Sequence, residues 1–420
     1  MGDCSMDQEK IKILVVSQYF WPEPFKISDL VVELSDAGYD VEVLTSIPNY
    51  PDGRVYEEYI DNPNAYGRLG EIRVTRIWQL ARGGNSLQLI LNYFSFVISA
   101  GVHLIKLWLA GKRFDLILAA QLSPIISVIP PLFYARLSKT RIIFWVFDLW
   151  PDSILTKRSG SNFFYRVAEA ICSFIYRSAD TLYISSKGFL SRLQQMGVAD
   201  ESIKYLPQWA DYSGFYSRFP DVDKEPRLYF SDDRLNVVFT GNIGSAQNLT
   251  EVMEALSRSG VQSSYNFVFI GSGRMLEGLI ALSRDKGLEG NVKFIGRRSA
   301  SELPAYYEQA DFLLLPLKSN PVFDLTIPAK LQTYMMAGKP IMAMASGEVK
   351  STIELADCGY VCEENNIDGY VRLLQRCTQL SVTDRSIKGH NARKYAFDNF
   401  DKKRVISKFL EELAGEVQNI

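Results

Sequence analysis

Three cations stand where a helix dipole argues against them. "IPAKLQTYMMAGKP" reads as one short helix. Pro328 suits the first helical position, Leu331, Tyr334, Met335 and Met336 form an apolar stripe, and Gly338 and Pro340 stop it. Lys330 then lies in the first turn, beside the positive pole, at a cost of about 0.3–1 kcal/mol in a lone helix. Arg274 in "GSGRM" and Lys26 in "WPEPFKISDL" take the same place, just after a strand and at a helix start. An anion in the gap would explain all three, and a diphosphate suits the field because lysine and arginine both pair with phosphate oxygens. A side chain reaching into solvent explains any single one as well. Three in equivalent positions favour the ligand.

Other strand ends carry groups suited to a sugar, whose hydroxyls and ring faces meet carboxylates and aromatics. "SQYFWPEPF" offers Trp21 and Glu23, and "FWVFDLWPDS" offers Asp148, Trp150 and Asp152. Rim packing accounts for the two tryptophans nearly as well. "TGNIGSAQN" and "IGSGRM" are glycine turns leading into helices, and Gly241, Asn242, Gly244, Gly271 and Gly273 would let a ligand approach the backbone. Neither is a full G-x-G-x-x-G, and each alone fits a tight turn. Arg297 in "GRRSASE" and Asp324, Leu325, Thr326 and Ile327 ahead of the Lys330 helix complete the donor-side candidates, with Thr333 in that helix. The "DVD" at Asp221–Asp223 does not end a strand and reads as a solvated loop. The two histidines, His103 and His390, lie apart, so no histidine catalysis is expected, and no metal site is expected from Cys358 and Cys362.

These groups need a scaffold, and the pattern supplies one. Continuous apolar strands such as "IKILVVSQYF", "FDLILAAQ" and "RIIFWVFD" alternate with amphipathic helices, which means a parallel sheet covered on both faces. The pattern fades from about Pro207 to Arg234 and restarts at "LNVVFTGNIG". The expectation is two tandem doubly wound domains: 1–206, a linker at 207–234, 235–395, and a C-terminal helix at 396–420. With 420 residues, 47% hydrophobic, 22% charged and a net charge of −2, the chain reads as globular and not a nucleic-acid binder. "MGDCSMDQEKIK" has no apolar core of a signal peptide, so a cytoplasmic protein is expected.

One segment strains that expectation. Leu87–Leu109 is long enough to span a bilayer but carries Gln88, Asn92, Ser95, Ser99, Gly101, His103 and Lys106. A buried core helix and an interfacial helix are the main readings, and a transmembrane span is the least favoured. From Tyr66 to Trp145 ten basic residues face two acids, Glu71 and Asp115. That concentration predicts a peripheral, membrane-facing surface.

The motifs "ILVVSQYFWPEPF", "FDLWPDSI", "TGNIGSAQN", "IGSGRM" and "IPAKLQTYMMAGKPIMA" resemble family 4 glycosyltransferases, most of all the bacterial branch that builds O-antigen, capsule and colanic acid, including N-acetylfucosamine transferases. The resemblance implies the GT-B fold, two Rossmann-like doubly wound domains with a cleft between them. It implies a retaining, metal-free transfer from a nucleotide-diphosphate sugar, UDP-linked and N-acetylated in the favoured reading, to a lipid-linked saccharide. Lys330 and Arg274 would stabilise the leaving diphosphate. Glu23 and Asp148 would join them as catalytic groups, with Trp21, Lys26, Trp150 and Asp152 on the acceptor side. The chain departs from the family's E-x7-E motif: Thr333 holds the second glutamate's place and Leu325, beside Asp324, the first. Asn242 and Gln247 or Asn248 stand where the family places its arginine and lysine. Two rival readings stay open, a non-catalytic sugar-nucleotide binder and a sugar-nucleotide 2-epimerase of the same fold.

Overall fold

The computed structural model describes residues 10–50, 53–82, 86–152, 162–210, 226–319, 323–363 and 366–417. The chain forms two compact units, 1–207 with 406–420, and 208–405.

The first unit is an eight-stranded sheet in the order β3-β4-β2-β1-β5-β6-β7-β8. Its strands are β1 (Lys12–Val16), β2 (Asp40–Ser46), β3 (Arg68–Leu69), β4 (Ile72–Ile77), β5 (Leu116–Gln121), β6 (Arg141–Val146), β7 (Thr181–Ile184) and β8 (Ile203–Tyr205). All neighbours run parallel except β3 with β4. β5 is buried at every position, as its unbroken apolar run requires. From β1 the chain steps outward to β2 and β4, then crosses back to β5, so the order reverses between β1 and β5. Ligands of such sheets bind at that reversal, at the strands' carboxyl ends.

The second unit is a six-stranded parallel sheet, β11-β10-β9-β12-β13-β14. Its strands are β9 (Leu235–Thr240), β10 (Tyr265–Ile270), β11 (Val292–Phe294), β12 (Phe312–Pro316), β13 (Ile341–Met344) and β14 (Gly359–Cys362). Here the reversal falls between β9 and β12. The turn after β9 is "GNIG", and the Lys330 helix (Ala329–Ala337) follows β12. Topology therefore brings the first glycine turn and Lys330 to one place.

Several expectations change. Pro328 is the extended cap residue, so the helix opens at Ala329 and Lys330 is its second residue. The expected break before residue 396 falls inside the helix Val382–Phe400, and the chain changes units only after Val405. The reason is the last helix, Lys402–Val417, which packs on the first sheet. Glu416, 7% exposed, sits 2.6 Å from Lys204 Nζ and 3.9 Å from Arg141 Nη2, and Phe409 meets Tyr183 edge-on. The "DVD", most of the linker and residues 1–9 lie outside the described residues.

The apolar helix Ser86–Leu109 resolves into two sides. Asn92, Ser95, Phe96, Ala100 and Leu104 are buried, while Leu87, Ile90, Leu91, Phe94, Ile98, Val102, Ile105 and Leu109 are exposed. The next two helices on that face continue the exposed apolar surface, with Ile129, Phe133 and Leu137 on Ile129–Ser138, and Phe163, Phe164, Val167, Ile171 and Phe174 on Asn162–Arg177. The ten-to-two charge excess is partly neutralised within the unit. Arg68 pairs with Glu71, Lys112 with Glu42 and Arg141 with Glu416, and Arg76 donates to the carbonyls of Trp21, Ser46 and Tyr66. Arg73, Lys106, Arg113, Arg136 and Lys139 remain exposed.

Candidate functional site

In the second unit the two glycine turns interlock. Gly241 N–H donates to Ile270 O and Ile243 N–H to Ser272 O, each at 2.8 Å. A Cβ on Gly271 would lie 1.8 Å from Gly241 O, and one on Gly273 would lie 2.2 Å from Ile243 O. These glycines are therefore demanded by backbone meeting backbone. Gly241 differs, because the neighbour within reach of its missing side chain is the Lys330 ammonium, 3.2 Å from a Cβ placed there.

Lys330 and Tyr334 share one helix face at i,i+4 spacing. The Tyr334 hydroxyl accepts the Thr240 N–H at 2.8 Å, which fixes the helix against the end of β9. Lys330 Nζ then reaches Gln247 Oε1 at 2.9 Å and lies 4.0 Å from the Phe239 ring centroid. An amide oxygen and a π face attract a cation without neutralising it. Burial pulls the Lys330 pKa down to about 7. Gln247 is thus the residue that holds the Lys330 ammonium.

The other donor-side candidates divide. Arg274 and Arg297 are exposed. Asn242 is exposed, and Gly244 lies so close to it that an added Cβ would stand 2.7 Å from the Asn242 amide nitrogen. Asp324 accepts from Ser319 Oγ at 2.7 Å, and its carbonyl lies 2.0 Å from where a Gly347 Cβ would be. Leu325 and Thr326 are half-buried in the same turn, whereas Ile327 is 6% exposed and belongs to the hydrophobic core. The Ile327 side chain thus packs into the core. Thr333 Oγ1 donates back to Ala329 O at 3.0 Å, so it satisfies its own helix. A hollow of about 430 Å³ lies at the far end of this sheet, among Lys339, Arg385, His390 and Arg393. There Arg393 donates to the Met336 and Ala337 carbonyls, closing the Lys330 helix at its negative end.

In the first unit two expected acids serve the scaffold. Glu23 is 1% exposed and accepts backbone N–H groups from Phe20, Asn49 and Tyr50 at 3.1, 2.9 and 2.8 Å. Burial raises its pKa, while those N–H groups pull the other way. It ties the loop after β1 to the loop after β2 and is not directed at a ligand. Asp152 accepts from Tyr165 OH at 2.7 Å and Arg192 Nε at 2.9 Å, within a network that includes Glu169. It too is an internal anchor. Lys26, the first residue of its helix, lies 3.6 Å from Asp29, so a carboxylate on the same turn answers its charge. Trp21 packs on Tyr66 with centroids 5.2 Å apart, and Trp150 donates from Nε1 to Ser123 Oγ at 3.1 Å.

Asp148 stands half-buried past the end of β6. Around it the fold gathers residues that the strand-end reading missed. Burial raises the Tyr93 phenol pKa, with Arg82 opposing and Asp148 reinforcing. Burial likewise raises that of Tyr19 at the end of β1, again with Arg82 opposing. Arg82, Tyr93, Tyr19 and Asp148 thus share one electrostatic neighbourhood at the carboxyl edge of the sheet. No strand-end motif announces Arg82 or Tyr93, since one follows β4 in a loop and the other sits inside the apolar helix. Among the described residues, no group of three or more His, Cys, Asp or Glu is placed to hold a metal.

Two family models cover most of the chain. A glycosyl transferase 4-like domain matches residues 26–209, and glycosyl transferases group 1 matches residues 223–396. The chain belongs to the group 1 glycosyltransferases of the family 4-like type. WcaI of Escherichia coli K12, by name a colanic acid biosynthesis glycosyl transferase, is 26% identical over 96% of this chain and 100% of its own length. WbjE of Pseudomonas aeruginosa, by name a glycosyltransferase, is 22% identical over 71% of this chain and 75% of its own. Among solved structures, sucrose-phosphate synthase from Thermosynechococcus elongatus superposes with a TM-score of 0.72 at 15% identity, over 98% of this chain and 100% of that one. Anabaena Alr3699/HepE in complex with UDP gives 0.70 at 14% identity, over 97% and 100%. The fold is GT-B, and the protein is a glycosyltransferase.

Proposed function

We propose that the chain transfers an N-acetylated hexose, with retention, from a UDP-linked donor to a lipid-linked saccharide at the cytoplasmic face of the inner membrane. The observation that carries this reading is Lys330, whose ammonium stands at the interlocked glycine turns, held by neutral groups. As the donor bond breaks, charge grows on the leaving diphosphate, and a fixed ammonium lowers that barrier without a metal. Arg274, exposed beside the second turn, is the second cation. The UDP in the HepE complex supports the choice of nucleotide. The three-helix apolar face with its exposed lysines and arginines supports a lipid surface and a lipid-linked acceptor.

A thermal-shift screen of the full chain against UDP, GDP and their sugars tests the donor, because a ligand that binds only the native state raises Tm. Stabilisation by UDP and at least one UDP-sugar is expected. Stabilisation by guanosine compounds alone, or by none, overturns the donor assignment.

A further inference from the structure

Arg82 lies just ahead of the helix Ser86–Leu109, and its backbone is fixed from two sides. Its N–H donates to Asn49 Oδ1 at 3.1 Å. Its carbonyl oxygen stands 1.6 Å from where a Cβ on Gly53 would be, and Gly53 has φ +72, so only glycine fits there. Asn49 and Tyr50 are themselves held by buried Glu23. The guanidinium lies 5.5 Å from the Tyr50 ring centroid. Arg68, Lys112 and Arg141 each meet a carboxylate. Arg82 has no carboxylate within 4 Å among the described residues. The loop is built by the Arg82 backbone, so the charged side chain is not needed for that purpose. Its guanidinium also hydrogen-bonds the Tyr19 side chain, and neither that phenol nor the Tyr50 ring neutralises its charge.

Two features say which partner. The helix that starts beside Arg82 exposes Leu87, Ile90, Leu91 and Phe94 over its first turns. Tyr93 on the same helix feels both Arg82 and Asp148. An anionic group between an apolar track and a carboxylate-and-phenol pocket has the layout of a lipid phosphate joined to a sugar. We propose that Arg82 holds the phosphate or diphosphate of the acceptor, with the lipid leaving over Leu87, Ile90, Leu91 and Phe94 and the first sugar turned toward Tyr93 and Asp148. The arginine fork suits two phosphate oxygens, and a helix start adds partial positive charge. This rests on the reading of a lipid-linked acceptor.

Titration calorimetry on the detergent-solubilised full chain tests it with farnesyl diphosphate, farnesol, inorganic diphosphate and UDP. Wild type is expected to bind farnesyl diphosphate at least tenfold more tightly than farnesol or inorganic diphosphate. Arg82→Gln is expected to lose at least tenfold for farnesyl diphosphate and nothing for UDP, with Arg82→Lys between the two. Unchanged farnesyl diphosphate affinity in Arg82→Gln, or equal binding of inorganic diphosphate by wild type, overturns the proposal. Should Arg82→Gln unfold, Arg82→Lys alone decides, by the same criterion. Failure of UDP to bind while the farnesyl series behaves as expected removes the donor reading and leaves this one standing.

Discussion

Lys330 Nζ lies 2.9 Å from Gln247 Oε1, and the two residues come from different sides of the sheet reversal between β9 and β12. The contact fixes the ammonium without cancelling its charge. Lys330→Ala removes a charge-assisted contact to the leaving group, which can cost about 2–5 kcal/mol. The loss is expected in kcat more than in KM, because the charge that Lys330 meets grows toward the transition state. Steady-state kinetics on donor and acceptor check it, and near-normal turnover would remove Lys330 from the reaction.

Proton linkage gives a second expectation. The folded pKa of Lys330 is depressed from 10.5 to about 7, so folding disfavours its charged form. Below pH 7 both folded and unfolded chains carry the proton, and the full cost of burying the charge is present. As pH rises from 7 toward 10.5 the folded state alone has lost the proton, and stability increases. Lys330→Met should therefore raise Tm more at pH 6 than at pH 9. A diphosphate reverses the preference, so UDP binding at pH 8 should take up as much as one proton. Calorimetry in buffers of different ionisation enthalpy measures this, and zero uptake contradicts it.

Gly271→Ala should be destabilising well beyond an ordinary surface change. Its Cβ would stand 1.8 Å from Gly241 O, at φ +155. A loss above about 2 kcal/mol is expected, since both strain and displacement of the partner turn contribute. Gly278→Ala is the control. It sits in the helix Leu276–Asp285 with open space around it, and should be stabilising by about 0.5–1 kcal/mol. Denaturant midpoints of the two variants should move in opposite directions.

Glu416→Ala strips Lys204, Arg141 and Thr181 of a shared partner. Breaking a fully buried pair costs roughly 3–5 kcal/mol, and the partly exposed lysine and arginine reduce this to about 2 kcal/mol. Chemical denaturation followed by tryptophan fluorescence reads it directly. An effect of a few tenths would mean that the last helix is held by its apolar contacts alone.

Membrane attachment is tested on the apolar face. Ile98→Ser with Phe133→Ser removes two side chains exposed at 64% and 54%. Together they account for about 3 kcal/mol of transfer to lipid, near a hundredfold in partitioning. Co-sedimentation with anionic vesicles should fall accordingly, and wild-type binding should weaken in high salt. Tm should barely move. Undiminished sedimentation of the double variant would place the contact elsewhere.

The two sheets were legible because unbroken apolar runs such as "LILAAQ" and "FLLLP" have few other uses. β4, β8 and β14 were harder to see, since "IRVTRI", "IKY" and "GYVC" are short or carry charge. At the site, Lys330 announced itself by breaking the dipole rule. Its holders, Phe239 and Gln247, are distant in sequence and carry no such mark. Glu23 and Asp152 misled because a strand-end carboxylate looks alike whether it faces a ligand or three backbone N–H groups. Lys26 misled for a local reason, since Asp29 on the same turn already balances it. Ile327 looked like part of the donor loop, yet it faces the core.

The return of Lys402–Val417 to the first sheet has a consequence for biogenesis. A ribosome releases residues 1–207 long before it makes 406–420, so the first unit spends most of synthesis without Glu416 and Phe409. The second unit, contiguous from 208 to 405, can close its core first. Nascent chains stalled before residue 406 should thus protect the second sheet from protease sooner than β7 and the edge strand β8, although those strands emerge earlier.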